Sequence, residues 1–362
     1  MKVCIIGLGL IGGSLAKAIR YKYQEKVTIF AYDKNIVSLE RAKEEGIIDQ
    51  GFSVFEKELF PCTFLFLCAH IEQNIEMLPL IEPFINKDCI LSDITSVKSE
   101  IHNAISKTTL KKQFIGGHPM TGSEKKNYEN SARILFENIY YILTPTNETK
   151  PSYTFKLKQL ITDLNAIPLV MDQHTHDYCV AGISHFPHLI SALLVNAVST
   201  SDSSQQFMAK IAAGGFKDIT RISSSSPTMW KNICFENKEN LLVYITDFQN
   251  KLELMKHSLQ NKEENEVEKM FECAKDYRDS LIDVRYTTDS SYYIIHVDIP
   301  DVPGILASVV SLLAQNMINI KNIGIIHNRE FMQGALQIEF YTKKERNHSI
   351  QILNNNNYNL FL

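Results

Sequence analysis

The sequence predicts a doubly wound, mostly parallel α/β domain, then an all-helical segment, then a small α+β domain. Three observations carry this. A glycine triplet follows a short apolar run at the start of the chain. Apolar strand-like runs then alternate with helical patterns over residues 1–172. Residues 290–362 read strand, helix, strand, strand, helix, strand, the order of a ferredoxin-like fold.

The opening run KVCII reads as a buried strand, and Gly7-Leu8-Gly9-Leu10-Ile11-Gly12 follows it directly into a helical pattern. Such a turn lets a pyrophosphate approach the backbone, and the helix start offers it free N–H groups. A second strand, VTIFAYD, ends on Asp33, placed to accept the ribose hydroxyls of a dinucleotide and to repel a 2′-phosphate. Strand, triplet, helix, strand and acid in that order specify a Rossmann domain, with NAD favoured over NADP and Lys34 pulling the other way. Further strands are expected at 62–69, 89–94, 113–117, 140–145 and 168–172. Ligands of such sheets sit at the carboxyl ends of the strands, where His70, Asp93, Thr95, Ser96 and His118 fall. His118 stands between Gly116-Gly117 and Pro119, which reads as a bend exposing a titratable ring.

Residues 173–285 change in composition. Asp177 can cap a helix, and Ser184, His188 and Ser191 recur at helical spacing, with Pro187 kinking or restarting the helix. Taken singly, His185 and His188 read as core histidines. His174, His176 and Asp177 invite a metal reading, but alternate residues at a helix start diverge and no further ligand cluster accompanies them, so no metal is expected. Lys217 and Arg221, four apart, reach the same side of a helix, while Asp218 points elsewhere. They lie between Gly214-Gly215 and the only tryptophan, Trp230, and an anionic substrate would need such a pair. Residues 228–283 then read as two long helices split near Asn261.

Bulk properties bound the function. At 362 residues the chain can bury a sizeable core, and 44% hydrophobic with 22% charged residues is ordinary for a globular protein. A formal charge of -4 gives no general affinity for nucleic acid or anionic membrane. Seven scattered cysteines suit a reducing cytoplasm. The start, MKVCIIGLGLIGGS, is too glycine-rich for a signal peptide, and no uninterrupted apolar run reaches the roughly 18 residues of a membrane span.

Taken together, GLGLIGGS at 7–14, DITSVK at 93–98, GGHPMTGSE at 116–124, HDYCVAGISHFPH at 176–188 and GGFKDITRISSSSPTMW at 214–230 resemble the bacterial prephenate dehydrogenases, the oxidative-decarboxylating enzymes of tyrosine biosynthesis. The resemblance runs over nearly the whole chain. It implies a Rossmann domain at 1–172, a helical dimerisation and substrate domain at 173–285, and a regulatory ACT domain at 290–362, in a homodimer. It implies that His118 is the catalytic base, that Ser96 bonds to that histidine or to the substrate hydroxyl, and that Arg221 binds a substrate carboxylate. Ser123, Glu124, Asp177, Ser184, His188, Lys217 and Trp230 match positions that line or support the pocket; Ser123 stands where some members have threonine. The implied substrate is prephenate, with arogenate the close rival. Two more distant readings are a β-hydroxyacid dehydrogenase using Lys217 and a nucleotide-sensing regulator without turnover.

In the last domain, D-V-P-G-I-L at 301–306 resembles the loop that opens an ACT domain. By that resemblance Asp301, Gly304 and Ile305 would bind tyrosine as a feedback effector, the helix start taking its carboxylate. The alternative is a purely structural dimer module.

Overall fold

The computed structural model describes every residue except 60, 123, 124, 126, 285–292, 301, 328–333 and 362. The chain divides into two compact units, Met1–Lys251 and Leu252–Leu362.

The first unit opens with β1 (Lys2–Ile6), α1 (Leu10–Tyr23), β2 (Thr28–Tyr32), α2 (Ile36–Glu44), β3 (Gln50–Phe52), β4 (Phe64–Leu67), α3 (Ile71–Ile81), β5 (Ile90–Asp93), α4 (Ser99–Ser106), β6 (Phe114–Pro119), β7 (Tyr140–Pro145), α5 (Pro151–Asp163) and β8 (Ile167–Val170). The strands form one sheet in the order β3-β2-β1-β4-β5-β6-β7-β8. All pairs are parallel except β6–β7. Strand order reverses between β1 and β4, which opens the ligand crevice of a doubly wound sheet there. Both faces are covered, so β1 is apolar after Lys2: Val3 and Ile5 join one core cluster, Cys4 and Ile6 the other. Strand β3 was not expected; it is three residues long and two of the three are polar or glycine.

His118 lies within β6 rather than on a bend, so the reading of Gly116-Gly117 as an exposing turn is corrected. Both glycines serve close packing. A Cβ on Gly116 would strike the Thr144 hydroxyl, and one on Gly117 would sit 2.5 Å from the Asp93 carbonyl oxygen and 2.8 Å from Tyr141 Oη. The strand can carry His118 to the sheet's end only because these two positions have no side chain.

The helical part runs through α6 (Gln173–Val180), a π-helical turn (Ala181–His185), α7 (Phe186–Ser201), α8 (Phe207–Ile211), α9 (Gly214–Thr220) and α10 (Pro227–Glu236). Then come α11 (Lys238–Asn261), which crosses the division between the units, and α12 (Glu264–Val284). The helix runs on through Pro187 without a break; the irregularity is the π turn that ends at His185, just before α7. Gly182 gives Tyr244 of α11 room against this turn, since a Cβ there would strike its hydroxyl. By length and composition the run Gln173–Ser201 would suffice to cross a membrane. It nevertheless buries His176, Asp177, His185 and Ser191 inside the unit.

The second unit holds β9 (Tyr293–Ile299), α13 (Ile305–Gln315), β10 (Asn322–His327), β11 (Gly334–Phe340), α14 (Lys343–Asn355) and β12 (Leu360–Phe361). They form an antiparallel sheet in the order β10-β11-β9-β12, the β-α-β-β-α-β arrangement expected from the sequence. Ile295, Val297 and Ile299 alternate inward from β9 onto Val309 and Leu313 of α13 and Leu353 of α14.

Gly117→Ala is expected to destabilise the first unit by about 1–3 kcal/mol, because the contact is with backbone that cannot rotate away. Denaturant unfolding of the purified variant measures this, and wild-type stability would refute the close-packing account.

Candidate active site

The glycine turn is built for a phosphate. Gly7 sits at φ +97°, and a Cβ there would lie 2.8 Å from the Cys68 carbonyl carbon. A Cβ on Gly12 would strike the Gly7 carbonyl oxygen, so helix α1 can close on β1 only with glycine here. Gly9 faces open space, with Leu10 and Ile11 beginning the helix whose N–H groups point the same way. Asp33 accepts from Leu8 N at 2.6 Å and from Asn35 N at 2.8 Å, which fixes the carboxylate at the mouth of the turn. Each carboxylate oxygen keeps a second lone pair for a ribose hydroxyl. These residues fit a dinucleotide. His70 precedes α3 at the end of β4 and is exposed.

Beyond the turn, the end of β5 is knotted by a buried ion pair. The Lys98 ammonium contacts the Asp93 carboxylate, donates to Gly117 O at 2.7 Å and to Thr95 Oγ1 at 3.0 Å. Asp93 also accepts from Gly117 N at 3.1 Å and from Thr95 N at 2.9 Å, and the Thr95 hydroxyl donates to it. Thr95 is therefore spent on shaping the loop, and half-buried Ser96 stands beside it. This knot grips the β6 backbone at the residue before His118.

His118 points its Nδ1 at His176 Nε2, 2.8 Å away, with the rings at 70°. His176 Nδ1 lies 2.8 Å from Asp177 Oδ1. The Asp177 carboxylate also accepts from the backbone N–H groups of Lys98 and Ser99, at 2.8 and 2.7 Å. Asp177 does cap a helix, but one distant in sequence, and it stands behind His176 rather than at an open face. Asp172 caps α6, accepting from His174 N and Thr175 N, while buried Asp177 caps α4 of the sheet domain. Burial alone would push the Asp177 carboxyl up; the bonds from His176, Ser99 and Lys98 outweigh it and hold it below its usual range. His118 is held well below the usual imidazole range by burial first, then by His176, Lys98 and His185.

The helical half supplies the rest. His188 stacks on Trp230 at 3.7 Å between ring centroids, and its Nδ1 donates to Ser184 O at 2.8 Å. Burial lowers the His188 pKa and the nearby Arg221 guanidinium lowers it further. Ser191 is turned away, donating to Ile219 O at 3.1 Å. Buried His185 accepts from Asn237 Nδ2 at 3.1 Å, and burial pushes its pKa down to about 4. Lys217 and Arg221 lie near the exposed end of α9. Trp230 Nε1 is buried and has no hydrogen-bond partner among the described residues, a donor that a ligand oxygen would satisfy. Ser123 and Glu124 lie outside the described residues. The sequence reading missed Lys98, Asn237 and the joint role of His176. An apolar run interrupted by Asp93 and Lys98 was the available signal for the first.

A family model described as prephenate dehydrogenase, nucleotide-binding domain, matches residues 15–169. A second, prephenate dehydrogenase, dimerization domain, matches residues 172–273. The chain belongs to the prephenate dehydrogenase family. Among its relatives, prephenate dehydrogenase of Bacillus subtilis is 33% identical over 353 residues, covering 97% of this chain and 95% of that one. Among solved structures, prephenate dehydrogenase of Aquifex aeolicus, in complex with hydroxyphenyl propionate and NAD+, superposes with TM-score 0.72 at 32% identity, covering 78% of this chain and 98% of that one. Arogenate dehydrogenase of Synechocystis gives TM-score 0.71 at 27% identity, covering 78% of this chain and all of that one. The family's two domains meet in this chain where His118 on β6 touches His176 on α6.

His102, buried on α4 with Nε2 2.9 Å from Thr144 Oγ1, is pushed down to about 4, chiefly by burial. Its folded value lies below its unfolded one, so its stabilising contribution is complete above the unfolded pKa and is lost as pH falls toward about 4. His102→Gln is expected to lose about 2 kcal/mol less stability than wild type between about pH 7 and about pH 5. Urea titrations at the two pH values read this; parallel losses would contradict it.

Proposed function

We propose that the chain is a NAD-dependent prephenate dehydrogenase, converting prephenate to 4-hydroxyphenylpyruvate by oxidative decarboxylation in tyrosine biosynthesis, in the cytoplasm. The observation that carries this is His118: an imidazole at the carboxyl end of a sheet strand, within the family's nucleotide-binding domain, held neutral by its surroundings.

The glycine turn at Gly7, Gly9 and Gly12 receives the pyrophosphate and Asp33 the ribose. NAD, when bound, supplies the hydride acceptor. His118 takes the proton of the substrate's ring hydroxyl as the hydride leaves the carbon that bears it, with Ser96 beside the same hydroxyl. Carbon dioxide then departs with its bonding electrons left in the ring, which becomes aromatic. The substrate is a dianion, and Arg221 and Lys217 supply the cations that hold it, with His188, whose charge is disfavoured, beside them as a hydrogen-bonding ring. Ser184 and Trp230 border the same pocket, and the indole N–H offers a carboxylate one more donor. Exposed Lys217 suits an anchor better than a buried base, which favours this reading over a β-hydroxyacid dehydrogenase. Arogenate, which carries an amino-acid side chain in place of the ketoacid, is the second reading, favoured by the likeness to the Synechocystis enzyme.

The exposed apolar residues of the helical segment, among them Ile183, Leu193, Ile211 and Phe235, support a homodimer formed through it. The second unit's four-stranded sheet with two helices supports an ACT domain. Gly304, at φ +88° before α13, and Ile305 would receive tyrosine there. Asp301 lies outside the described residues.

With prephenate and NAD, absorbance of NADH is expected to rise, with kcat/KM for prephenate above that for arogenate; no NADH from either substrate would sink the reading. His118→Asn is expected to bind prephenate while losing about 10²–10⁴ in kcat. Because the base must be neutral and its pKa is lowered, kcat should hold its plateau as pH falls through about 6.5 and drop only below that. Added tyrosine should inhibit the wild type, and Gly304→Ala should weaken the inhibition at unchanged kcat. Full inhibition of that variant would remove the proposed effector site.

A further inference from the structure

We propose that His176 is a positioning residue that sets which nitrogen of His118 acts as the base. This rests on the reading of His118 as the base. A neutral imidazole has one protonated nitrogen and one lone pair, and only the lone pair can accept a proton. Which nitrogen is which follows from the hydrogen bonds of the ring.

The bonds run in one direction. Asp177 is a carboxylate, an acceptor only, and already takes the N–H groups of Lys98 and Ser99. Its partner at 2.8 Å, His176 Nδ1, therefore carries a hydrogen. With one hydrogen on the ring, at Nδ1, His176 presents a lone pair at Nε2, 2.8 Å from His118 Nδ1. His118 Nδ1 must donate into that lone pair, so its hydrogen sits there and Nε2 is left as the lone-pair nitrogen. The ring that takes the substrate proton is thereby loaded in its working tautomer before substrate arrives. Proton uptake at Nε2 makes His118 a stronger donor to His176, so the contact tightens in the charged state that forms during turnover.

The surroundings keep this order. Among the described residues, Lys98 at the start of α4, Asp93 from β5, His185 from the π turn and Asp177 from α6 are charged or titratable groups around the two rings. The Lys98 ammonium is paired with Asp93. His185 accepts from Asn237 at Nδ1. Neither offers His118 a competing acceptor. His176 is 1% exposed, so water cannot replace it in this bond. His176 does not touch the substrate on this account; it acts through His118.

The test pairs His176→Leu, which removes the acceptor, with His176→Gln, whose side-chain oxygen can reach the place of Nε2. His176→Leu is expected to lower kcat for prephenate by about 100-fold, with KM and NAD affinity within about threefold of wild type. His176→Gln is expected to recover at least about tenfold of that loss. NMR of the imidazole nitrogens in the ligand-free protein should place the His118 hydrogen on Nδ1 in wild type and His176→Gln. In His176→Leu it should move to Nε2. Wild-type kcat in His176→Leu would overturn the proposal. So would equal losses in both variants with the His118 tautomer unchanged, the pattern of a merely structural residue. The tautomer is read without turnover, so an enzyme inactive on prephenate would fail the functional reading and leave this measurement standing.

Discussion

One buried carboxylate joins the sheet half, at α4 and at His118 on β6, to the helical half. Asp177 sits on α6, yet it caps α4 of the sheet domain through the Lys98 and Ser99 N–H groups and holds His176 against His118. A carboxylate this deeply buried is tolerable only when it is hydrogen-bonded, and here three donors reach it. Removing it would leave a helix start and an imidazole N–H unsatisfied at once, a loss of about 3–5 kcal/mol. Asn237 reinforces the joint from α10's end, donating to Asp177 O at 2.7 Å and to His185. The site is thus preorganised by bonds that cross between distant stretches of chain.

A second constraint acts from below. The Lys98–Asp93 pair is wholly buried and tied to both sides of the Gly117 peptide. Burial lowers the Lys98 pKa while Asp93 opposes it. A cation fixed this close disfavours a second charge on His118, which keeps the imidazole a base near neutral pH. The same knot requires the two glycines of β6, because any side chain there would push the strand off α4 or β5. Stability and reactivity of the imidazole therefore draw on one set of contacts.

Much of this was legible in the sequence where the signal is local. The glycine turn, β7 at Tyr140–Pro145 and the break near Asn261 each follow from short-range rules about backbone freedom and periodicity. Family resemblance offered His118, His188, Arg221 and Trp230 as candidates. What escaped was tertiary. Asp177 caps a helix some eighty positions upstream, which no spacing rule reaches. His176 and its neighbours looked like a diverging helix start; the packing of α6 against α4 and β7 decides where those rings go. Gly116-Gly117 suggested a bend because glycine permits one, but here it serves proximity instead.

The most direct test of the account is a crystal structure of the protein with NAD and 4-hydroxyphenylpyruvate. The account predicts the phenolic oxygen within hydrogen-bond reach of His118 Nε2, His118 Nδ1 still on His176, and the product carboxylate on Arg221. A phenolic oxygen bound away from His118, or a His118 ring turned so that Nδ1 faces the ligand, would contradict it.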